Sequence, residues 1–260
     1  MSSHLAEAAN RFRALHQANA ALVLPNAWDA ASAATLVEAG FGAIATSSGA
    51  ISRALGYSDG EGTPSGAMFE AIAGIVAAAK RANPRALVTA DIEHGYGLPV
   101  GELVERLAGA GVVGCNLEDS DPRTREMIAV NDQARWITEV RQAAEYAGTA
   151  LVINARVDLH VRKDGPDETR LERSLERARA YLAAGADCVF PIMLAGEADL
   201  EAYTQGTPGP VNVMVTHATP DPRRLGELGV ARVTFGSGLQ RIALTALSEA
   251  AHRILMGEAP

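Results

Sequence analysis

Eight times along this chain a short apolar run is followed by an Ala-rich stretch with helical spacing. That alternation constrains the fold more than any other feature. Parallel strands need a crossover connection, and an amphipathic helix is the usual one. The strand-like runs lie at 21–27, 42–48, 86–93, 114–119, 150–158, 187–194, 210–217 and 231–237. Helical spacing fills most of the gaps, with a further helix expected over 3–20 and a long one over 239–256. Eight pairs in 260 residues match a closed (β/α)₈ TIM-type barrel, which typically takes about 250. No composition break marks a linker, so one barrel domain over 1–260 is expected. A doubly wound open sheet is the alternative, but no G-x-G-x-x-G follows the first run. The repeated VEAG, LAGAG and LAAGAD segments read as helix ends, where glycine takes a left-handed backbone.

Composition narrows the class. The hydrophobic fraction is 48%, enough for a large core, and the net charge of −8 argues against a nucleic-acid partner. No run of about 18 apolar residues is present to span a membrane. The N-terminus lacks the apolar stretch of a signal peptide, so the cytoplasm is the expected compartment. Cys115 and Cys188 sit in strand-like runs and read as buried, reduced thiols.

Strands of such a barrel are buried on both faces and should be almost wholly apolar. Polar residues near their C-terminal ends therefore stand out, because these ends build the active site. In VTADIEHG, Thr89, Asp91 and Glu93 alternate with Val88, Ala90 and Ile92. Two carboxylates on one face repel each other unless a hard cation such as Mg²⁺ lies between them. A helix cap or ion pair is the structural alternative. In GCNLEDS, Asn116 and Glu118 share a face, which adds a third carboxylate, while Asp119 is expected to face outward. In VINARVD, Arg156 supplies a counter-charge, either to this cluster or to a substrate carboxylate, and Asp158 is placed to orient it. Ser48, Gly49 and Ala50 end the second strand and open a Gly/Ser-rich loop, where small residues let backbone N–H groups approach a ligand. His217 ends the seventh strand, as an acid/base candidate or a structural histidine. His4, His16 and His252 are expected to face solvent from helices.

Four segments together resemble the isocitrate lyase / phosphoenolpyruvate mutase family: LPNAWDAASAATLVEAGFGAIATSSGA, TADIEHGYG, GCNLEDS and VINARVD. The resemblance spans nearly the whole chain. It implies a barrel, Mg²⁺ (with Mn²⁺ able to stand in), and substrates that are 2-oxo acids or pass through an enolate of one. It also implies a homotetramer or dimer in which the eighth helix swaps between subunits. By the same resemblance, Asp91 is the direct metal ligand, while Glu93 and Glu118 hold metal-bound waters. Ser48, Gly49 and Ala50 bind a carboxylate or enolate oxygen, and Arg156 grips a carboxylate. Asp59 is the acidic residue of a mobile loop. Trp28 and Asp29 form an aromatic-acidic pair lining the site.

The chain departs from that family after Glu118. The lyases carry Lys-Lys-Cys-Gly-His there, whereas this chain reads DSDPRTREMIAVNDQ, with no Cys or His. Isocitrate-type cleavage is therefore not expected. The phosphonate enzymes use a Lys and an Asn in this loop, where Arg123 and Arg125 are the only cations here. These arginines either bind a second anionic group of the substrate or are solvated. The expected function is Mg²⁺-dependent carbon–carbon cleavage of a small 2-oxo acid, of the oxaloacetate decarboxylase or hydrolase type. The alternatives are P–C chemistry on a phosphonate and a non-catalytic 2-oxo acid binding protein.

Overall fold

All eight apolar runs become parallel strands in the computed structural model, which describes residues 2–17 and 20–259. In chain order the elements are α1 (Ser2–Leu15), β1 (Leu22–Val23), β2 (Asn26–Ala27), α2 (Ala30–Glu38), β3 (Ala43–Thr46), α3 (Ser48–Leu55), α4 (Ser65–Ala82), β4 (Leu87–Asp91), α5 (Val100–Ala110) and β5 (Gly114–Glu118). They continue with α6 (Val130–Tyr146), β6 (Val152–Val157), α7 (Leu159–Arg162), α8 (Asp167–Ala183), β7 (Cys188–Pro191), α9 (Glu197–Gly206), β8 (Asn212–Met214), α10 (Pro222–Glu227), β9 (Arg232–Thr234) and α11 (Gly238–Leu255). The expected extension of the first helix to residue 20 crosses residues 18 and 19, which lie outside the described residues.

Closure of the barrel turns on the first run. Proline has no N–H to give a ladder, and Pro25 divides the run into β1 and β2. β1 pairs with β9 and β2 pairs with β3, so one run joins the last strand to the second. From β2 to β7 the strands pair in sequence order, and a bridge between Val189 and Val211 links β7 to the β8 side. The barrel is of the TIM type.

Side-chain alternation divides the core into two parts. Outward-facing residues such as Ile44, Val88, Leu117 and Ile153 pack under the helices. Inward-facing Leu24, Ala45, Leu87, Val113 and Val152 meet Ala9 and Phe12 of α1, which plugs the N-terminal end. The site is left to the opposite end. His16 follows α1 into this plug. It is buried, its Nδ1 lies 3.0 Å from the Phe12 carbonyl, and burial lowers its pKa to about 4. The expectation that His16 faces solvent is thus corrected: the chain turns inward directly after the helix.

Three further features bear on function. Ser48 to Leu55, expected as a loop, form a helix capped by Ser47. α11 extends away from the barrel, with Ile242, Leu247 and Leu255 exposed by 67%, 64% and 82%. Cys115 and Cys188 are free and buried, as expected. No helix among the described residues is long and apolar enough to cross a membrane.

Candidate active site

Register brings the polar strand positions together. Asp91 of β4 lies beside Asn116 of β5, Asn116 beside Asn154 of β6, and Glu118 beside Arg156. At this end of the barrel a cavity of about 510 Å³ opens, a size suited to a small metabolite. Ser47, Ser48, Gly49, Asp59, Asp91, Glu93, Glu118 and Arg156 line one side of it.

Asp91 is held from three directions. Its Oδ2 accepts from Ser48 N at 3.1 Å and Ser48 Oγ at 2.8 Å, and its Oδ1 accepts from Asn116 Nδ2 at 3.3 Å. The first turn of α3 thus points the Ser48 N–H and hydroxyl at the carboxylate, where the helix dipole favours negative charge. Glu93 lies beyond the strand, on a left-handed backbone with φ 51°. Tyr96 Oη donates to its Oε1 at 3.0 Å, and Glu61 N donates to its Oε2. Tyr96 N in turn donates to Glu61 Oε1 at 2.6 Å, so the 57–63 loop is tied across the turn that carries Glu93. Burial, together with the charges of Asp91 and Asp59, raises Glu93 to about 7.

Glu118 and Arg156 form an ion pair. Arg156 also donates from Nε and Nη2 to Asp158, at 2.6 and 3.1 Å. Burial pushes the Glu118 carboxyl up, opposed by Arg156. Burial would likewise raise Asp158, but Arg156 outweighs it and holds that group low. Two carboxylates therefore share one guanidinium. Asp59, Asp91 and Glu93 have no basic partner within ion-pairing distance among the described residues. No three His, Cys, Asp or Glu side chains among these residues converge closely enough to form a ready-made metal cage. The donor set instead fits a hard cation that takes one or two carboxylates and completes its shell with water and substrate, as Mg²⁺ does.

Three expectations are corrected. Ala50 faces away from the cavity, with its N–H 3.4 Å from Ser47 Oγ and its carbonyl accepting from Gln240. Asp29 caps α2, accepting from Ser32 N at 2.7 Å, and neither it nor the adjacent Trp28 lines the cavity. Arg123 points to solvent, its side chain 90% exposed, while Arg125 lines the cavity in its place. Asp119 is fully buried. It faces outward from the barrel, as alternation with Glu118 expects, and lies under α8, where it accepts from Arg177 Nη1 at 3.0 Å and Tyr181 Oη at 2.8 Å, with Asp158 N donating to it at 2.7 Å. His217 sits exposed in the turn after β8, at the cavity rim.

The sequence reading did not include Arg162, Arg241 or the apolar wall of Ile192, Met193, Met214 and Phe235, all of which line the cavity. Arg162 donates to Ser120 Oγ at 2.9 Å and approaches Asp158. The apolar four sit at or just past strand ends, where they merely continue an apolar run, and Arg162 and Arg241 lie on helices, where an arginine breaks no pattern.

The chain resembles proteins of known family along most of its length. The phosphoenolpyruvate phosphomutase family model matches residues 12–255. An uncharacterized protein of Mycobacterium tuberculosis (strain H37Rv) is 35% identical over 252 residues, covering 95% of this chain and 90% of the relative. The 2-methylisocitrate lyase of Bacillus subtilis (strain 168) is 28% identical over 225 residues, covering 83% of this chain and 70% of the relative. A crystal structure from Burkholderia cenocepacia J2315, provisionally named a phosphonomutase, has a TM-score of 0.87 and 41% identity, covering 95% of this chain and 99% of that one. Other relatives carry the name oxaloacetate decarboxylase, so the group includes lyases, decarboxylases and mutases. The chain belongs to the phosphoenolpyruvate mutase / isocitrate lyase family.

Proposed function

We propose that this chain is a Mg²⁺-dependent enzyme that cleaves a carbon–carbon bond of a small 2-oxo acid through an enolate. The observation that carries the reading is the cluster of Asp59, Asp91 and Glu93, three carboxylates around one cavity without a basic partner among the described residues. Asp91, with Glu93 and Glu118 behind it, would hold the ion. Mg²⁺, when bound, supplies Lewis acidity toward the oxygens of the 2-oxo acid. Mn²⁺ suits the same oxygen donors.

The protein's own groups divide the remaining work. Gly49, in the first turn of α3, lines the cavity, and its N–H would be the donor for an oxyanion, whereas Ser48 N–H already serves Asp91. Such a fixed donor stabilises charge that develops during the reaction. Arg156, oriented by Asp158, presents the cationic face beside Glu118. Arg125, Arg162 and Arg241 give the far side of the cavity positive charge for a second anionic group of the substrate. Asp59 stands on a loop over the cavity, close enough to Gly49 that a Cβ there would displace its carboxylate. His217 at the rim is a candidate proton carrier.

The same three arginines favour a second reading, P–C chemistry on a phosphonate, because a phosphonate needs cations around it. A third reading is a protein that binds 2-oxo acids without turning them over. One experiment separates all three. Oxaloacetate, alkyl-substituted 2-oxo acids and phosphonopyruvate are each offered with Mg²⁺ and with EDTA, and pyruvate, oxalate and phosphoenolpyruvate are measured. We expect Mg²⁺-dependent cleavage of a 2-oxo acid, lost in Asp91→Ala. Turnover of phosphonopyruvate alone establishes the mutase reading. Mg²⁺-dependent oxalate binding with no turnover of any compound leaves the binding protein.

We also propose that α11 packs on a second copy of the chain, giving a dimer or tetramer. Its Ile242, Leu244, Leu247, Ile254 and Leu255 are left exposed by the described residues of the chain.

A further inference from the structure

Beneath the carboxylate cluster, inside the barrel, lies an arginine that the reaction described above does not use. Arg232 of β9 is 1% exposed and is the largest fully buried side chain of the structure. Buried arginines are ordinarily matched with a carboxylate, because an unpaired charge in the interior is costly. Arg232 is not matched. Its Nε and Nη1 have no hydrogen-bond partner, and its Nη2 donates to a neutral acceptor, Asn116 Oδ1, at 3.3 Å. The guanidinium carbon lies 5.9 Å from the centre of the Phe12 ring, so α1 contributes an aromatic face below it. Burial lowers its pKa to about 10, which leaves it charged at neutral pH.

The acceptor is informative. Asn116 Oδ1 receives a second donor, Asn154 Nδ2, at 2.8 Å. Two donors on one amide oxygen settle which end of the side chain is which, since the nitrogen would meet them with hydrogens of its own. The Asn116 Nδ2 is thereby turned toward Asp91 Oδ1, at 3.3 Å. With the amide reversed, two oxygens would face each other at that distance. A continuous chain of donors thus runs from the barrel floor to the carboxylate: Arg232 to Asn116 to Asp91.

We infer that Arg232 is a positioning residue for the cation site: it fixes the amide of Asn116, which in turn holds Asp91 in the rotamer that faces the cavity. Ligand-orienting groups one contact removed from a metal typically matter by about 10–100-fold in metal affinity. The inference rests on the metal reading of Asp91 given above. It also opposes a simple electrostatic expectation, because deleting a positive charge near a cation site should tighten cation binding.

That opposition supplies the test. The affinity for Mn²⁺ alone is measured by electron paramagnetic resonance of the free ion, using the full-length wild type, Arg232→Met, Arg232→Lys, Asn116→Leu and the double variant Arg232→Met/Asn116→Leu. Circular dichroism and thermal melting report folding separately. Positioning predicts that Arg232→Met weakens Mn²⁺ binding about tenfold or more. Arg232→Lys, which keeps a donor for Asn116 Oδ1, recovers most of it. In the Asn116→Leu background, Arg232→Met changes affinity no further, because the link it works through is already cut. Equal or tighter Mn²⁺ binding by folded Arg232→Met overturns the inference while leaving the metal reading intact. Should Arg232→Met fail to fold, Asn116→Leu decides, and undiminished Mn²⁺ affinity in that variant overturns the inference. Absence of Mn²⁺ binding by the wild type overturns the metal reading and the positioning role together.

Discussion

His16 shows how far a single residue's role depends on where the chain turns. Read on a helix among polar neighbours, it looked solvated, yet it ends up in the apolar plug with Phe12. Its pKa in the fold is about 4, against 6.5 in its ordinary state, with burial the largest cause and the charge of Arg232 the next. A depressed histidine contributes stability above pH 6.5, and that contribution is lost as pH falls from 6.5 toward 4. Protonation of the unfolded chain then favours unfolding by up to roughly 3 kcal/mol across that window. Denaturant titrations at pH 7 and pH 4.5 should show His16→Gln losing less stability on acidification than the wild type. An equal loss in both proteins would remove His16 from the account of acid sensitivity. Other residues were legible or not for a related reason. Asp91, Glu118 and Arg156 stood out because each interrupts an apolar strand. Arg232 interrupts a strand by the same rule, but its position at the start of the run let it pass as a flanking polar residue. Alternation also gives Asp119 its outward direction, one residue past the end of β5, but its buried partners Arg177 and Tyr181 come from α8, which no local pattern announces.

At the level of the element, α3 is the clearest gain over the sequence. Ser47, Ser48 and Gly49 suggested a loop, since serine and glycine are common there. Instead Ser47 caps a helix, and the first turn carries the N–H groups that meet Asp91 and the cavity. The barrel strands were legible to within a few residues because burial on both faces leaves only apolar runs, whereas the two-residue cap signal of α3 was outweighed by its composition. The helix makes opposing predictions for Gly49→Ala. Alanine inside a helix is preferred over glycine by about 1 kcal/mol. A Cβ at this position, however, would stand 2.8 Å from Asp59 Oδ2, and the flexible carboxylate must move away. Thermal stability is therefore expected to hold or rise while kcat/KM falls about tenfold or more, as misplacement of a site group does. Full activity in this variant would show that neither Asp59 nor the approach at Gly49 matters to turnover.

For the whole molecule, the decisive feature is what α11 does not touch. Gln240, in its first turn, anchors it: Nε2 donates to the Ala50 carbonyl at 2.7 Å, and Oε1 accepts from Arg53. Beyond that turn the helix leaves the barrel. A cavity of about 520 Å³ lies between its first turns and Val215, Thr216 and Phe235 of the barrel rim. Ile242, Leu244, Leu247, Ile254, Leu255 and Met256 are all exposed by 46% or more. Full burial of one such side chain is worth about 1.5–3 kcal/mol, so this row amounts to a large unsatisfied driving force on a helix face that no described residue covers. A second copy whose own α11 is equally bare can cover it, and the exchange would be mutual, as closed symmetry requires. The chain mass is 27.1 kDa, and light scattering at micromolar concentration should return two or four times that value for the wild type. Leu247→Glu with Leu255→Glu, placed where no cavity residue of the same chain is disturbed, should shift the species toward monomer while the circular dichroism spectrum is retained. Because Arg241 of the same helix lines the active cavity, separation should also lower turnover, and the loss should recover with protein concentration. A wild type that is monomeric at every concentration, with activity independent of dilution, would leave α11 an uncovered helix and require another explanation for its apolar residues.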